Sequence, residues 1–445
     1  MSEIILEMQH NAEGHTLPTG AALHSHATEL YPILRSISGA GVETTLAYLR
    51  AYLCPTMRVV EVATGTEVHD WVVPKEWNCR AAWLKAPDGT KVVDLADHTL
   101  HILNYSVPMQ GSFTYDELLP HLFSLPAQPD LIPYRTSYYN ANWGFCLPHN
   151  QLEQLPKDGL YEVYIDSSLL DGNLTYGEVY IPGQSTEEVL ISTHICHPSL
   201  ADDNLSSMVV AAALAGHLAE MEGLKYSYRI VFVPGTIGAI SFLAQTHGLA
   251  QRVRFGLVLS LLGQRLPFHY KASEAGQTTT DLSTLRTLAQ LQKPFDLIDF
   301  YPYGYDERQY NSAGYRMPVG RLSRALHGQF AQYHTSADNL SLISAEALEE
   351  SLEVLLAILK GYEAEVFYRN SQPFGEPQLG KRGLYRAISG NNQGTKMAEM
   401  AMLWLLNQSD GHHSMADISQ RSGIEMPELE QVASKLVAAG LLMQI

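Results

Sequence analysis

Residues 189–207 read VLISTHICHPSLADDNLSS. The opening apolar run, residues 189–192, has the composition of a strand buried on both faces. It delivers His194, Cys196, His197, Asp202 and Asp203 into a short loop, and the Ala-rich stretch from Ser206 to Glu220 then reads as a helix. Metal ions of hard or borderline character need neutral imidazole and ionised carboxylate held together, and loops at the ends of rigid elements collect such ligands. The stretch therefore reads as the nucleus of a metal site. The plainer alternative is a helix amino terminus at which Asp202 or Asp203 serves only as a cap.

Outward from this nucleus, strands and helices alternate. YEVYID (161–166), GEVYIP (177–182), YRIVFVP (228–234), FGLVLSLL (255–262) and MPVGRL (317–322) have strand patterns. Helical patterns fall at 206–220, 237–247, 281–292 and 345–366, the last with Ser344 as its N-cap. This order predicts a layered α/β domain with a mainly parallel sheet. Before it, residues 27–53 predict two helices broken at Ser38, Gly39 and Gly41. Residues 58–145 change to alternating strands, with Asp88 and Gly89 marking a hairpin. Aromatics crowd this segment, Trp71, Tyr134, Tyr138 and Tyr139 among them, and fit either a packing face or a ligand groove. Residues 1–27, with His10, His15, His24 and His26, read as a loosely ordered arm, the rival being a metal-binding tail.

Residues 367–394 carry Pro, Gly and Asn without periodicity and read as a linker. Three short helical patterns follow, at 397–406, 415–420 and 427–437, then Gly440 and LLMQI, the outline of a winged-helix module. From residue 371 onward 6 Lys+Arg face 7 Asp+Glu, and the third helix sets Glu428 and Glu430 against Lys435. A DNA-reading helix should be basic, so packing or protein interaction is expected here.

Of the 445 residues, 29 are Lys or Arg and 47 Asp or Glu, a formal net charge of −18 that repels phosphate backbones and anionic lipid surfaces. Nucleic acid and membrane are thus poor partners. The four cysteines are scattered and form no CxxC pair, and no run of about 18 apolar residues appears. A soluble protein of the reducing cytoplasm is expected.

Two more places carry metal-site chemistry: DERQY, residues 306–310, and QYHTSADN, where His334 precedes Asp338. Histidines and carboxylates from separate loops of one α/β sheet are what a site above the strand ends requires, and the residue types suit zinc.

THICHPSLADDN, the strand, loop and helix after RIVFVP, and YHTSADN resemble the metal-site motifs of zinc-dependent aminopeptidases with co-catalytic zinc, a clan that includes glutaminyl cyclases. More closely, WVVPKEWN, NYSVP, LPAQPDLIPYRTSYY, WGFCLPHNQ, DERQY, YHTSADN and EPQLGKRGLY resemble a bacterial family of aminopeptidase-like proteins often labelled as associated with polysaccharide biosynthesis. The resemblance runs from about Ala27 to the end. It implies a three-layer, mixed but mainly parallel sheet of the zinc-aminopeptidase type, spanning 27–57 and 146–366. It also implies a β-rich insertion at 58–145, a linker at 367–394 and a winged helix at 395–445.

By the same resemblance His194 and His334 match histidine ligands and Asp203 the carboxylate that bridges two metals, with His197 in reserve. Cys196 stands where the peptidases have an aspartate that orients the first histidine. The general-base glutamate and the glutamate ligand after RIVFVP are replaced by Gly235 and Thr236, and an aspartate ligand is missing around Ser260, Leu261 and Leu262. These losses imply at most one zinc, Glu307 or Asp306 as a substitute base, and a pocket for a peptide or small-molecule substrate lined by Arg308, Tyr310 and Tyr333. The alternative is a non-catalytic binding or assembly protein on the same scaffold. Restoring a glutamate at Gly235 is the repair that the sequence suggests.

Overall fold

The computed structural model describes residues 8–10, 16–384 and 393–445. His15 and residues 385–392 of the expected linker lie outside the described residues. The largest sheet has eight strands in the order Phe295–Ile298, Phe268–Lys271, Val319–Ser323, Val253–Leu259, Glu188–His194, Ser227–Val233, Asn173–Ile181 and Arg58–Ala63. The four strands from Val319–Ser323 to Ser227–Val233 are parallel, and antiparallel strands extend the sheet on both sides.

The alternation within the central strands explains why they read as unbroken apolar runs. Val189 and Ile191 enter one core with the helices Ser207–Glu220 and Ala345–Ala364, whereas Leu190 enters a second core with the helix Ile237–Gln245. Side chains alternate across a strand, so burial on both faces needs apolar residues at every position. A mixed α/β architecture with a large, mainly parallel central sheet is what results.

The first helix begins earlier than the sequence suggests. Gly20–Leu30 is helical, capped by Thr19, and buries Leu23, Ala27 and Leu30. A side chain at Gly20 would strike the Ala345 carbonyl, so glycine sets the closeness of this contact. His24 and His26 are thereby taken out of any tail: they contact the Leu340 carbonyl and the Tyr48 hydroxyl.

The β-rich unit is a four-stranded sheet in the order Lys91–Asp94, Glu76–Lys85, Tyr161–Leu170 and Met109–Phe113. Two strands sit on the other side of the expected 58–145 boundary. Arg58–Ala63 is an edge of the large sheet, paired with Asn173–Ile181, and Tyr161–Leu170 is central to the small one. Period-2 patterning fixes which face of a strand is buried but carries no record of its partner.

At the carboxy-terminal end, the helices Gln393–Gln408, Met415–Ser422 and Met426–Ala438 pack with a three-stranded sheet as a winged helix. The middle strand of that sheet is Phe367–Asn370, flanked by Asp410–Ser414 and Leu442–Gln444. The start of the expected linker therefore belongs to this sheet. The unit is tied to the α/β domain through Asp417, which accepts from Thr279 Oγ1 at 2.6 Å and Arg286 Nη1 at 2.9 Å. Among the described residues no helix is long and apolar enough to cross a membrane.

Candidate metal centre

The strand Glu188–His194 ends level with Ser227–Val233, His194 lying opposite Val233. The chain then loops to Leu200 and enters an irregular turn, Ala201–Ser206, in which Asp203 and Asn204 have non-helical dihedrals. The first N–H groups of a helical segment have no intrahelical partners, and the Asp338 side chain meets two of them: it accepts from the backbone N–H of Asp202 at 2.7 Å and of Asp203 at 3.0 Å. Asn204 Nδ2 donates to Thr193 Oγ1 and to the His194 carbonyl, stitching turn to strand. Asp202 faces away and accepts from Gly263 N and Gln264 Nε2.

These contacts bring Asp203 beneath three histidines. Asp203 Oδ1 lies 2.8 Å from His194 Nε2 and 3.6 Å from His197 Nδ1, and Oδ2 lies 3.1 Å from His334 Nε2. His194, His197 and Asp203 are buried and offer three donor atoms within 4.8 Å of one another. His197, held in reserve in the sequence, is a full member of this cluster, and His334 meets the opposite oxygen. Burial opposes ionisation of Asp203, but His197, His194 and His334 outweigh it and hold its carboxyl well below the usual range. Burial lowers His194 and His197 from their ordinary pKa, toward the neutral form that a metal requires.

The β-rich unit supplies one wall. Pro133 bridges to Thr335, Tyr134 N donates to the His334 carbonyl at 2.8 Å, and Ser336 N donates to the Ile132 carbonyl. The Tyr134 ring then stands edge-on to both His197 and His334, with centroids 5.1 and 5.2 Å away. Of the aromatics singled out in the sequence, Tyr134 thus borders the site, backed by Tyr138 through a 2.9 Å hydroxyl contact.

Tyr305 supplies the opposite wall, and nothing in the sequence pattern marks it. Its ring stacks on His194 with centroids 3.7 Å apart, its hydroxyl lies 3.4 Å from Cys196 Sγ, and it fills the space above Gly235. A Cβ built on Gly235 would overlap the Tyr305 ring. Cys196 stays a thiol there, burial raising it to about 11.

The DERQY residues depart from their expected roles. Glu307 is fully buried and lies in an ion network: Oε1 accepts from Lys271 Nζ at 2.9 Å and Arg321 Nη1 at 3.2 Å, and Oε2 from Tyr305 N at 2.9 Å. Burial opposes its charge, but Arg321 and Lys271 hold its carboxyl below the usual range, which makes it a weak base. Tyr310 is fully buried in the core and bonds Ser192 Oγ, so it lines no pocket. Arg308 is partly buried, with Nε unpaired among the described residues. Tyr333 does sit at the site, stacked on His334 at 3.8 Å.

Asp306 is 1 % exposed, and neither carboxylate oxygen has a partner among the described residues. Burial, then the Glu307 charge, push its pKa well above the ordinary value. The folded chain therefore holds a proton that an unfolded carboxyl releases near pH about 3.9. Its contribution to stability is complete below that pH and is lost as pH rises toward the folded pKa. Asp306→Asn, which cannot ionise, should gain on the wild type as pH rises above about 4, by up to about 1.4 kcal/mol per pH unit until the folded carboxyl itself titrates. Urea titrations across that range test this; a constant difference would mean that Asp306 is ionised in the fold.

Comparison with known proteins bears on the family and the fold. Residues 24–365 match the family described as a domain of unknown function, DUF4910, and residues 366–444 match a winged helix-turn-helix family. A protein of Clostridium acetobutylicum, provisionally named a polysaccharide biosynthesis protein with an aminopeptidase-like domain, is 41% identical over 442 residues, covering 99% of both chains. The crystal structure of a provisionally assigned peptidase from Clostridium acetobutylicum superposes with a TM-score of 0.78 at 40% identity, covering 96% of each chain. The zinc aminopeptidase of Bacillus subtilis shares the fold at 13% identity and a TM-score of 0.56, over 78% of this chain and 96% of the other.

Proposed function

We propose, from the premise that the chain belongs to the DUF4910 family and has an aminopeptidase-like fold, that it is a slow amide hydrolase with one zinc ion. The observation that carries this reading is the buried His194–His197–Asp203 cluster at the strand ends. Tetrahedral zinc with bonds near 2.0 Å sets its donors roughly 3.3 Å apart, and the contacts of 2.8 and 3.6 Å within the cluster bracket that spacing. When bound, zinc would supply Lewis acidity toward an amide carbonyl and a more acidic water.

The residues of the chain do the rest. Asp203 anchors the histidines, Asp338 fixes the turn that presents Asp203, and Tyr134 and Tyr305 enclose the cluster. No free carboxylate base lies at the site among the described residues: position 235 is glycine, Glu307 is tied to two cations and Asp306 holds its proton. General-base help is commonly worth about 10² to 10⁴ in rate, so turnover is expected to be slow by that factor. A peptide or small amide is the substrate class, and the reducing cytoplasm is its setting, in keeping with four free cysteines.

Metal analysis of the purified protein, with a panel of amides at micromolar enzyme, tests the proposal. About one zinc per chain and slow, chelator-sensitive hydrolysis are expected; no bound metal would sink it. The second reading, a binding or assembly protein, is favoured by Tyr305 over Gly235. It predicts zinc without turnover, with the winged helix, which carries no excess of basic residues, serving packing or protein contacts.

A further inference from the structure

Next to the cluster lies a group of charges that the hydrolase reading leaves unused. Lys271 and Arg321, both fully buried or nearly so, share one ionised partner among the described residues, Glu307. Arg321 Nη1 also lies 3.2 Å from His327 Nδ1, and Arg321 Nε has no partner among the described residues. A guanidinium can only donate, so His327 Nδ1 accepts and the proton of the neutral ring sits on Nε2. That Nε2–H is buried with no acceptor among the described residues, and His327 is 7% exposed. Buried donors are rarely left unpaired without reason.

The position of His327 gives the reason. Its ring is parallel to Tyr305 at 5.4 Å, and Tyr305 stacks in turn on His194. Its centroid is 6.4 Å from that of His194, and the nearest other ring, Tyr333 at 6.2 Å and edge-on, is too distant for a good N–H···π contact. The side chain of His334, under which Tyr333 stacks, is 31% exposed and marks the open side. Lys271 and Arg321 outnumber Glu307 by one charge, the ionised Asp203 of the cluster offsets it, and a divalent cation bound there would leave a buried positive excess. Desolvated charge of one sign calls for a counter-ion.

We propose that His327 and Arg321 form a subsite for an anionic oxygen, so that the ligand of this centre carries a carboxylate near its amide rather than a free amino terminus. This deepens the hydrolase reading and rests on it for the amide alone. A substrate ammonium group can accept no hydrogen bond from the His327 Nε2–H or Arg321 Nε and would be repelled by the metal-loaded centre, whereas a carboxylate would satisfy those donors and the added charge together.

Isothermal titration of the full-length, zinc-loaded chain with glutarate and with the neutral glutaramide tests the subsite. Glutarate should bind at least about tenfold tighter than glutaramide. His327→Leu should weaken glutarate about tenfold or more while zinc content stays at the wild-type level, and His327→Gln, which keeps a donor, should retain most of the affinity. Equal binding of the two ligands, an unchanged His327→Leu, or loss of zinc from His327→Leu would each overturn the subsite. The same titration on chelator-treated protein separates the two ideas: His327-dependent glutarate binding without any zinc affinity would uphold the subsite and sink the hydrolase.

Discussion

Gly235→Glu is expected to destabilise the protein by about 3–5 kcal/mol and to leave amide hydrolysis no faster than wild type. In sequence the substitution looks like the restoration of a missing base. In the fold the space is taken, because the Tyr305 ring overlaps any Cβ at position 235. Tyr305 is held in place: its ring stacks on His194 and lies against His327, its hydroxyl meets Cys196 Sγ, and its backbone is anchored by the N–H bond to Glu307. Overpacking a tight core costs about 1–3 kcal/mol, and an unpaired carboxylate in the same place costs more. Thermal unfolding and a chelator-controlled hydrolysis assay check both halves. Gly235→Glu with Tyr305→Gly should regain part of the stability, since the ring is gone. A single Gly235→Glu variant that melts like wild type and gains metal-dependent activity would show that Tyr305 yields.

The second large effect concerns Glu307. Glu307→Ala leaves Lys271 and Arg321 buried without a counter-charge, and breaking such a network by removing one member costs about 3–5 kcal/mol. Tyr305 also loses the acceptor for its backbone N–H. Chemical denaturation gives the stability. A base role makes the contrary forecast, that Glu307→Gln keeps full stability and loses turnover. The pH dependence follows from the sign of the shift. The folded carboxyl titrates below the unfolded value of about 4.3, so its stabilising contribution is complete above that pH and disappears as pH falls through the folded value. Glu307→Ala should therefore approach the wild type in stability as the medium is acidified below pH 4.

These two residues show what the sequence could and could not disclose. The strand that ends at His194 was legible because burial on both faces demands an unbroken apolar run, and the ligand types in the loop after it were plain. The winged helix was legible from helical spacing. Tyr305 was not, because its importance comes from a glycine on a different strand end. Glu307 was visible as a charge, but its partners Lys271 and Arg321 lie at inward positions of strands with ordinary apolar neighbours. Contacts between elements decide such roles, and one sequence records only the elements. The same gap explains why Tyr161–Leu170 and Arg58–Ala63 exchanged sheets.

The middle strand of the winged-helix sheet, Phe367–Asn370, follows directly on the long helix Ala345–Ala364, and its outer neighbour Leu442–Gln444 lies beyond all three helices of the unit. Synthesis on the ribosome thus completes this sheet only when residues 442–444 have been added, onto a strand made roughly 70 residues earlier. A protease cut or gene fusion placed at the composition change after residue 370 would not release a module; it would split one sheet between two polypeptides.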